Sequence, residues 1–570
     1  GPRRIFRYTG PMTTPSDSPG DQSPGDHSPA DRSQAIEEGR RHHHAGRLDE
    51  AQAIYERVLA EAPETAPENA AVLHMLGVVA LQQGRLENAL QLIGKALALK
   101  PDFAVAHNSA GSVHQRLGRT SEAIESFQTA VEADPDYGNA HFNLGTMLLA
   151  RHQHNEAVQA LERAAELQPD LDEAHFKLGV AYKSLGRHGQ AIEALERAVE
   201  LKPGFAGAYS SLGNVYAATG ELEQAEAAYR QAVETDPGSH AAHFNLGNVL
   251  GRLGKRPDAI ASYERALEIE PGFADAQGNL AEALFEAGDR DRAFEVFSKA
   301  IEAHPAESVL HWMFASALLK AGDLDAALEA VDAGLEVAPG STRNLSLKGA
   351  VLTARGEGEA ARALVDFDRF IETVRIRQVP GFDSVQAFNV AFRDHIESHP
   401  TLFGDPTHNA TRHGKHTGEL LQEPKGPVAA LEQIIIERGD AYRQRMGMDP
   451  AHPFLAAPPE RFTLTVWAVV LPARGYQTAH IHPDAWLSGV YYAQVPAAVA
   501  ETKGHDGWIA FAETAAMLDG TPDTLQEKGA RLIRPEEGLM VLFPSYFYHG
   551  TIPFETDETR ISVAFDLMPA

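Results

Sequence analysis

The pattern of apolar and polar positions repeats every 34 residues along the first two thirds of the chain, and short apolar runs occupy the last third. Three residue types keep the step: alanine at 89, 123, 157, 191, 225, 259, 293, 327 and 361, proline at 101, 135, 169, 203, 237, 271, 305 and 339, and glycine at 84, 118, 186, 220, 254, 288, 322 and 356. His152 fills the one gap in the glycine series. A period of this length predicts one helical hairpin per repeat.

The unit AHFNLGNVLGRLGKRPDAIASYERALEIEP illustrates the physics of the repeat. We expect Gly247 to let the two helices approach closely and Ala259 to seat the second helix against the first. Gly254 can end the first helix with a positive φ. Pro271 ends the second helix, since it has no amide hydrogen and collides with the preceding turn.

With this period and these residues, the region resembles tetratricopeptide repeats over about residues 33–372, in about ten units. The resemblance implies an all-α superhelix with a concave groove that holds a protein or peptide partner. The position two before the small residue of each unit then faces the groove: Ser109, Asn143, Lys177, Ser211, Asn245 and Asn279. Asparagine both donates and accepts, so Asn143, Asn245 and Asn279 are candidate substrate-binding residues. The alternative is that they only satisfy neighbouring helix ends.

The period stops near residue 372, and a second domain is predicted over 373–570. Residues 373–395 and 428–445 have helical patterns, with a polar loop between them. Six short apolar runs predict strands: FTLTVWAVVLP, LSGVYYAQVP, GWIAFAE, ARLIRP, GLMVLFPS and RISVAFDLMP. Such runs predict a β-sandwich or barrel.

A candidate metal site begins in the stretch AHIHPDAWLSGVYY, where His480, His482 and Asp484 alternate. Alternate residues of a strand share a face, so three ligand types are presented together. His549 closes a later strand, and Arg560 and Ser562 share a face of the last run.

These motifs over about residues 380–570 resemble the double-stranded β-helix, or jelly roll, of Fe(II)/2-oxoglutarate-dependent oxygenases. The resemblance implies Fe(II), 2-oxoglutarate and O₂ as cofactors, with ascorbate as a reductant. Arg560 and Ser562 would bind the far carboxylate of 2-oxoglutarate, since an arginine fork pairs well with a carboxylate. Two iron ligand sets stay open: His482 and His549 are completed either by Asp484 or by His480.

Further residues flank this site on the predicted strands. Trp467 and Gln477 are candidates for the substrate pocket, and Tyr492 is a candidate for the 2-oxoglutarate pocket. The alternative for the aromatic residues is an ordinary place in the core.

Composition narrows the partners. The chain has 79 acidic and 50 basic residues, which disfavours nucleic acid and anionic membranes as partners. It has no cysteine, so a metal must be held by His, Asp or Glu. Residues 1–32 are rich in Ser, Pro, Gly and Asp and predict a disordered leader. No apolar run approaches a membrane span and no secretory signal is visible, so we expect a cytoplasmic protein.

The sequence thus predicts an oxygenase that hydroxylates a protein or peptide captured by the repeats. Two alternatives remain. One is a non-catalytic scaffold whose β-domain is inactive or senses iron. The other is a three-histidine dioxygenase that does not use 2-oxoglutarate, in which Arg560 and Ser562 would lack a role. The sequence does not specify the oligomeric state.

Overall fold

The computed structural model describes residues 29–61, 63, 65–404, 410–421, 424–501, 504–518 and 522–570. Most of the predicted leader therefore lies outside the described residues, and the first helix begins at Pro29. The chain divides into two compact units. Unit 1 comprises Gly1–Ser184 and Glu193–Pro203, and unit 2 comprises Leu185–Ile192 and Gly204–Ala570.

The N-terminal region is an all-helical superhelix of tetratricopeptide type. Within the described residues, twenty helices follow one another in ten pairs: α1 Pro29–His44, α2 Leu48–Ala60, α3 Asn69–Gln82, α4 Leu86–Leu99, α5 Ala104–Arg116, α6 Thr120–Ala133, α7 Gly138–Ala150, α8 His154–Leu167, α9 Asp172–Ser184, α10 His188–Leu201, α11 Ala206–Thr219, α12 Leu222–Thr235, α13 His240–Arg252, α14 Arg256–Ile269, α15 Ala274–Glu286, α16 Arg290–Ala303, α17 Ser308–Ala321, α18 Leu324–Val337, α19 Thr342–Ala354 and α20 Gly358–Leu364. None of the described helices has the length and apolar character needed to cross a membrane.

The periodic glycines and alanines have the conformations and contacts that the repeat pattern predicts. All eight periodic glycines adopt positive φ, and His152 in the gap does so as well, with φ 59°. Each of these residues ends the first helix of its pair. A side chain at Gly247 would meet the ring of Tyr263 at 2.6 Å, so the small residue sets how closely α13 and α14 approach. Ala259 is 1% exposed in that contact.

In the C-terminal domain, five α-helices of 4 to 19 residues accompany twelve strands of the described chain. The helices are α21 Phe367–Phe370, α22 Val385–Glu397, α23 Val428–Met446, α24 Ala497–Glu501 and α25 Pro522–Glu527. The strands are β1 Glu372–Arg375, β2 Phe403–Gly404, β3 Thr411–Arg412, β4 Lys415–His416, β5 Phe462–Leu471, β6 Tyr476–Gln477, β7 Leu487–Gln494, β8 Ile509–Ala512, β9 Arg531–Ile533, β10 Leu539–Pro544, β11 Tyr548–Thr551 and β12 Arg560–Pro569.

Three sheets organise the strands. The largest has the order β1-β10-β7-β12-β5-β4-β2, and smaller sheets have the orders β11-β8-β9 and β3-β6. All strand pairs are antiparallel. This strand-rich domain after a helical superhelix is consistent with a jelly roll, as the sequence predicts.

Strand β12 is central to the large sheet and is buried on both faces. Ile561, Val563, Phe565 and Leu567 are each 0% exposed and join the main core. The same core contains Phe388 from α22, together with other residues of α22 and α23, so these helices cover one face of the sheet. The opposite face of β12 is left for the polar residues that alternate with the apolar ones.

The predicted helix over residues 373–395 is only partly present. Helix α22 occupies its second half, but residues 372–375 form β1 and pair with β10. The helical pattern failed there because an edge strand of four residues is too short to impose its own period on the sequence.

Candidate metal centre

Three histidines converge where two segments of the β-rich domain meet. His480 follows β6, and its backbone pairs with that of His549 on β11 through N–H to O bonds of 3.0 Å in both directions. His482 donates its amide to the Ser545 carbonyl at 3.0 Å. One ring nitrogen from each of the three histidines lies within 4.8 Å of the other two. Among the described residues this is the one cluster of metal-ligating side chains.

Hydrogen bonds to the rings of His480 and His549 determine which ring nitrogen of each is available to bind a metal. Nδ1 of His480 lies 2.8 Å from the Thr478 carbonyl oxygen, and Nδ1 of His549 lies 3.0 Å from that of Phe547. Carbonyl oxygens only accept, so both Nδ1 atoms carry the proton and donate. The Nε2 lone pairs are then left for a metal.

Burial keeps the rings of His480 and His549 neutral by lowering the pKa of each. It is the main cause that lowers the pKa of His480 to about 3, with the neighbouring His482 as a second cause. Burial likewise lowers the pKa of His549 well below its usual value, with His480 and His482 adding to the effect. Neutral imidazole is the form that binds a metal.

His482 has a charged partner. Its Nδ1 lies 2.6 Å from Oδ1 of Asp566 on β12, and the Ser488 hydroxyl donates to the same oxygen at 2.6 Å. Ser488 is also 2.8 Å from the Ser545 hydroxyl. A carboxylate behind a histidine fixes the ring and raises its basicity toward a metal.

Asp484 lies outside the cluster. Its side chain is 76% exposed and its carboxylate pairs with Arg343 at 3.7 Å. The expected alternation of His482 and Asp484 on one face requires a strand. The segment between β6 and β7 turns at Pro483 instead, so the structure brings His480 to the cluster and leaves Asp484 in solvent.

Arg560 is a buried cation on the cavity face of β12. It is 1% exposed, and it donates to the Gly507 carbonyl at 2.7 Å and to the Thr551 hydroxyl at 3.4 Å. Its Nε has no partner, and the buried Tyr492 hydroxyl has none either. The guanidinium carbon lies 5.0 Å from the centre of the Tyr492 ring.

Burial disfavours the charged forms of both Arg560 and Tyr492, as their pKa values show. Burial lowers the pKa of Arg560 and raises that of Tyr492. No carboxylate pairs with Arg560 among the residues that the structure describes. A buried cation with unused donors is suited to an anionic ligand.

One cavity of about 380 Å³ joins these groups. It is lined by the three histidines and by Arg560, Ser562, Asp566, Trp467 and Gln477, among others. Trp467 stacks on His482 with ring centres 5.6 Å apart. The predicted pocket residues Trp467 and Gln477 therefore border the cavity, whereas Tyr492 is not part of its lining and packs against Arg560.

The donor set fits Fe(II) and 2-oxoglutarate. Imidazoles suit Fe(II) among other divalent metals, and three of them with free Nε2 atoms leave coordination positions open. Arg560, whose Nε has no partner, and Ser562 offer donors for a carboxylate in the same cavity.

The three candidate groove asparagines are half-buried, and two are already engaged. The Asn143 amide donates to Asn108 of the preceding repeat, and the Asn279 amide donates to Asn248, each at 2.8 Å. The structure thus shows contacts between repeats at these positions.

Asp566 was missed from the sequence although a signal was present. In RISVAFD, Asp566 falls on the same face as Arg560 and Ser562, since the four alternate positions from 560 to 566 share one side of β12. A carboxylate on the inner face of a buried strand requires a partner, and His482 is that partner.

Comparison with known families agrees with this architecture. The family described as "Putative 2OG-Fe(II) oxygenase" matches residues 465–566, which include the three histidines and Arg560. Two tetratricopeptide-repeat families match the helical region, one at 108–172, 144–206, 176–240 and 244–308 and the other at 42–110 and 284–351. The predicted fusion of repeats to a C-terminal oxygenase domain is confirmed. No curated protein matches the chain.

Several solved structures are similar to parts of the chain. MamA is 30% identical, with 28% of this chain and 95% of MamA covered and a TM-score of 0.28. YrrB, described as a TPR protein with an unusual peptide-binding site, is 23% identical over 32% of this chain and 95% of its own, with a TM-score of 0.30. Pseudomonas aeruginosa pilF is 22% identical over 37% and 96%, with a TM-score of 0.33.

Two single substitutions, compared by their effect on metal affinity, distinguish the two ligand sets. We expect His480→Ala to weaken Fe(II) binding by roughly 100-fold or more, because a ligand is lost. Asp484→Asn should stay within about threefold of the wild type, because an exposed ion pair contributes little. Anaerobic calorimetry with Fe(II) or Co(II) measures both, and the reverse order would restore Asp484 as the third ligand.

A second prediction concerns Asp566. Asp566→Asn keeps the shape of the side chain but removes the charge behind His482, so we expect metal affinity to fall about 10- to 100-fold. Asp368→Asn serves as the matched carboxylate control in the same titration, since it removes an exposed carboxylate that pairs with Arg531 and does not line the cavity. Wild-type affinity in Asp566→Asn would show that the Ser545 contact alone orients His482.

Proposed function

Since the chain fuses tetratricopeptide repeats to a C-terminal domain of the 2OG-Fe(II) oxygenase family, we propose that it is an Fe(II)- and 2-oxoglutarate-dependent oxygenase that hydroxylates a protein or peptide. The observation that carries the proposal is the shared cavity, in which three convergent histidines and an uncompensated Arg560 lie together. A scaffold without chemistry gives no reason to bury an arginine without a carboxylate beside a metal-ligating cluster.

In the proposed reaction, His480, His482 and His549 hold the metal through Nε2, and Asp566 fixes His482. Arg560, assisted by Ser562 and the Tyr492 hydroxyl, binds the far carboxylate of 2-oxoglutarate and so sets the direction in which the cosubstrate enters. The iron, when bound, supplies the coupled oxidation in which O₂, 2-oxoglutarate and a C–H bond give succinate, CO₂ and an alcohol.

The substrate side of the cavity is left to Trp467 and Gln477. Trp467 is held between His416 and His482, with ring centres 6.0 and 5.6 Å away, so the indole forms a rigid apolar wall beside the metal. Gln477 adds a polar group that both donates and accepts. Such a pocket positions one side chain of a bound segment.

The repeats support a polypeptide substrate. Stacked helical hairpins of this type form a concave surface that binds extended segments. Asn245 and Asn279 lie at equivalent positions of α13 and α15, one repeat apart. The amide of Asn279 that donates to Asn248 leaves its own oxygen free of that bond, so the row can still accept from a peptide backbone.

The three-histidine ligand set raises one competing function, a dioxygenase that uses O₂ without 2-oxoglutarate. Arg560 argues against it, because this cation would remain buried and uncompensated throughout such a reaction. The two functions separate by whether turnover requires 2-oxoglutarate.

Succinate formation tests the proposal. We expect wild-type protein with Fe(II), ascorbate and 2-oxoglutarate to release succinate, and His549→Ala to release none. Arg560→Met should raise the KM for 2-oxoglutarate about 10- to 100-fold, since it loses charge-assisted bonds. The control is Arg531→Met, which removes a half-exposed arginine that pairs with Asp368.

Three results would contradict parts of this assignment. A wild type that binds no Fe(II) and forms no succinate would favour the scaffold. O₂ consumption that continues without 2-oxoglutarate would favour the three-histidine dioxygenase. An unchanged KM in Arg560→Met would remove the assigned role of that arginine.

Capture by the groove has its own test. Peptides retained by full-length His549→Ala should be recovered less well when Asn245 and Asn279 are both changed to Ala, because two acceptors for backbone amides are lost. The matched control changes the exposed Gln224 and Gln231 of α12. Mass spectrometry then checks whether wild-type protein adds one oxygen atom to a retained peptide; equal recovery in all variants would contradict capture at this row.

A further inference from the structure

The first turn of α19, in the last repeat, lies against the segment that carries His482. The Thr342 hydroxyl donates to the Pro483 carbonyl oxygen, and the Arg343 guanidinium lies 3.7 Å from the Asp484 carboxylate. All of these residues belong to unit 2. A repeat helix therefore holds the two residues that directly follow a candidate iron ligand.

The remaining anchors of this segment come from the sheets. His482 donates its amide to the Ser545 carbonyl, and Trp486 donates to Leu567 at 2.9 Å. Between these anchors, the Ala485 amide donates to the His482 carbonyl oxygen at 3.4 Å, and Pro483, which has no amide hydrogen, can be held only through its carbonyl oxygen. Thr342 uses that oxygen.

The contact is buried on the helix side. Thr342 and Ser346 are each 3% exposed and Asn344 is 0% exposed, so the first turn of α19 is polar but removed from water. Loss of the Thr342 hydroxyl would leave the carbonyl oxygen of the half-buried Pro483 without this partner.

Arg343 is held in place before it meets Asp484. Its guanidinium carbon lies 5.3 Å from the centre of the Trp312 ring on α17. Arg343 is the second residue of α19. In the preceding repeats, the second residue of the first helix is not basic: Val309, Asp275, Ala241, Gly207, Glu173, Asn139 and Val105. The arginine is thus a departure from the repeat pattern in a unit that contacts the histidine segment.

We propose that Thr342 and Arg343 are positioning residues of the metal centre, which hold the Pro483–Asp484 turn and so keep the His482 ring aimed at the metal. The inference rests on the proposed function, because it takes His482 for an iron ligand. It gives Asp484 a role as the acceptor for a repeat helix. The last repeat is then a structural part of the oxygenase site.

Hydrogen–deuterium exchange of the metal-free, full-length protein measures the contact without any enzyme assay. We expect the amides of residues 481–486 to exchange faster in Thr342→Val than in the wild type, and Thr342→Ser to restore the wild-type rate. The matched control is Ser346→Ala, which removes an equally buried hydroxyl that bonds within α19 at 3.0 Å.

Metal affinity supplies the second readout. Thr342→Val combined with Arg343→Met should weaken Co(II) binding about three- to tenfold, since a ligand loses part of its orientation. Arg355→Met, at the other end of α19 where the arginine pairs with Asp325 and Glu357, should leave affinity unchanged.

Failure of the positioning role and failure of the proposed function give different results in these two experiments. If the amides of residues 481–486 exchange at the wild-type rate in Thr342→Val, the positioning role is refuted, whatever the enzyme assay gives. If wild-type protein binds no metal, the proposed function fails and the metal-centre role of these residues fails with it, even where exchange shows the contact. Should Thr342→Val not fold, Thr342→Ala decides by the same measurement, because it also removes the hydroxyl that bonds to Pro483: faster exchange supports the role and a wild-type rate overturns it.

Discussion

Strand β12 carries a constraint that the rest of the site depends on, because it is buried on both faces between β5 and β7. One face, with Ile561, Val563 and Phe565, must be apolar to pack under α22 and α23. The other face then carries every polar group of the strand into the cavity, among them Arg560 and Asp566. A single register thus fixes the distance between Arg560, the proposed anchor of the cosubstrate, and Asp566, which hydrogen-bonds to His482. A shift by one residue would exchange the two faces and destroy core and site together.

Charge balance supports the proposed ligand set of three histidines, which lacks a carboxylate on the metal. The proposed closed site combines a doubly charged cation and a cosubstrate dianion with the negative Asp566 and the positive Arg560, which leaves no net charge. A further carboxylate from Asp484 would leave an uncompensated negative charge in a buried space, at a cost in desolvation. In the structure Asp566 supplies the negative charge behind His482, through a hydrogen bond to its ring. Asp484 pairs with Arg343 at the surface.

Periodicity explains how far the sequence could go. The 34-residue step and the six apolar runs come from local rules, so the repeats and the strands β5, β7, β8, β9, β10 and β12 were predictable. His549 and Arg560 could be placed because each lies on or beside such a strand. Asp484 could not, since alternation applies only inside a strand and Pro483 turns the chain. The two-residue strands β2, β3, β4 and β6 exist only through tertiary pairing and leave no period of their own.

The last repeats also show why the oxygenase domain follows them directly. A solenoid needs a terminal cap, because its final hairpin exposes an apolar face that no further repeat covers. Here α20 has only 7 residues, whereas α18 has 14. Val331 of α18 and Leu345 of α19 lie in one continuous core with Phe370 and the large sheet. The β-rich domain therefore serves as the cap of the repeats in unit 2. Because the domain that caps the repeats also contains the cavity with the three histidines, the burial that ends the solenoid brings the first turn of α19 to the segment that carries His482.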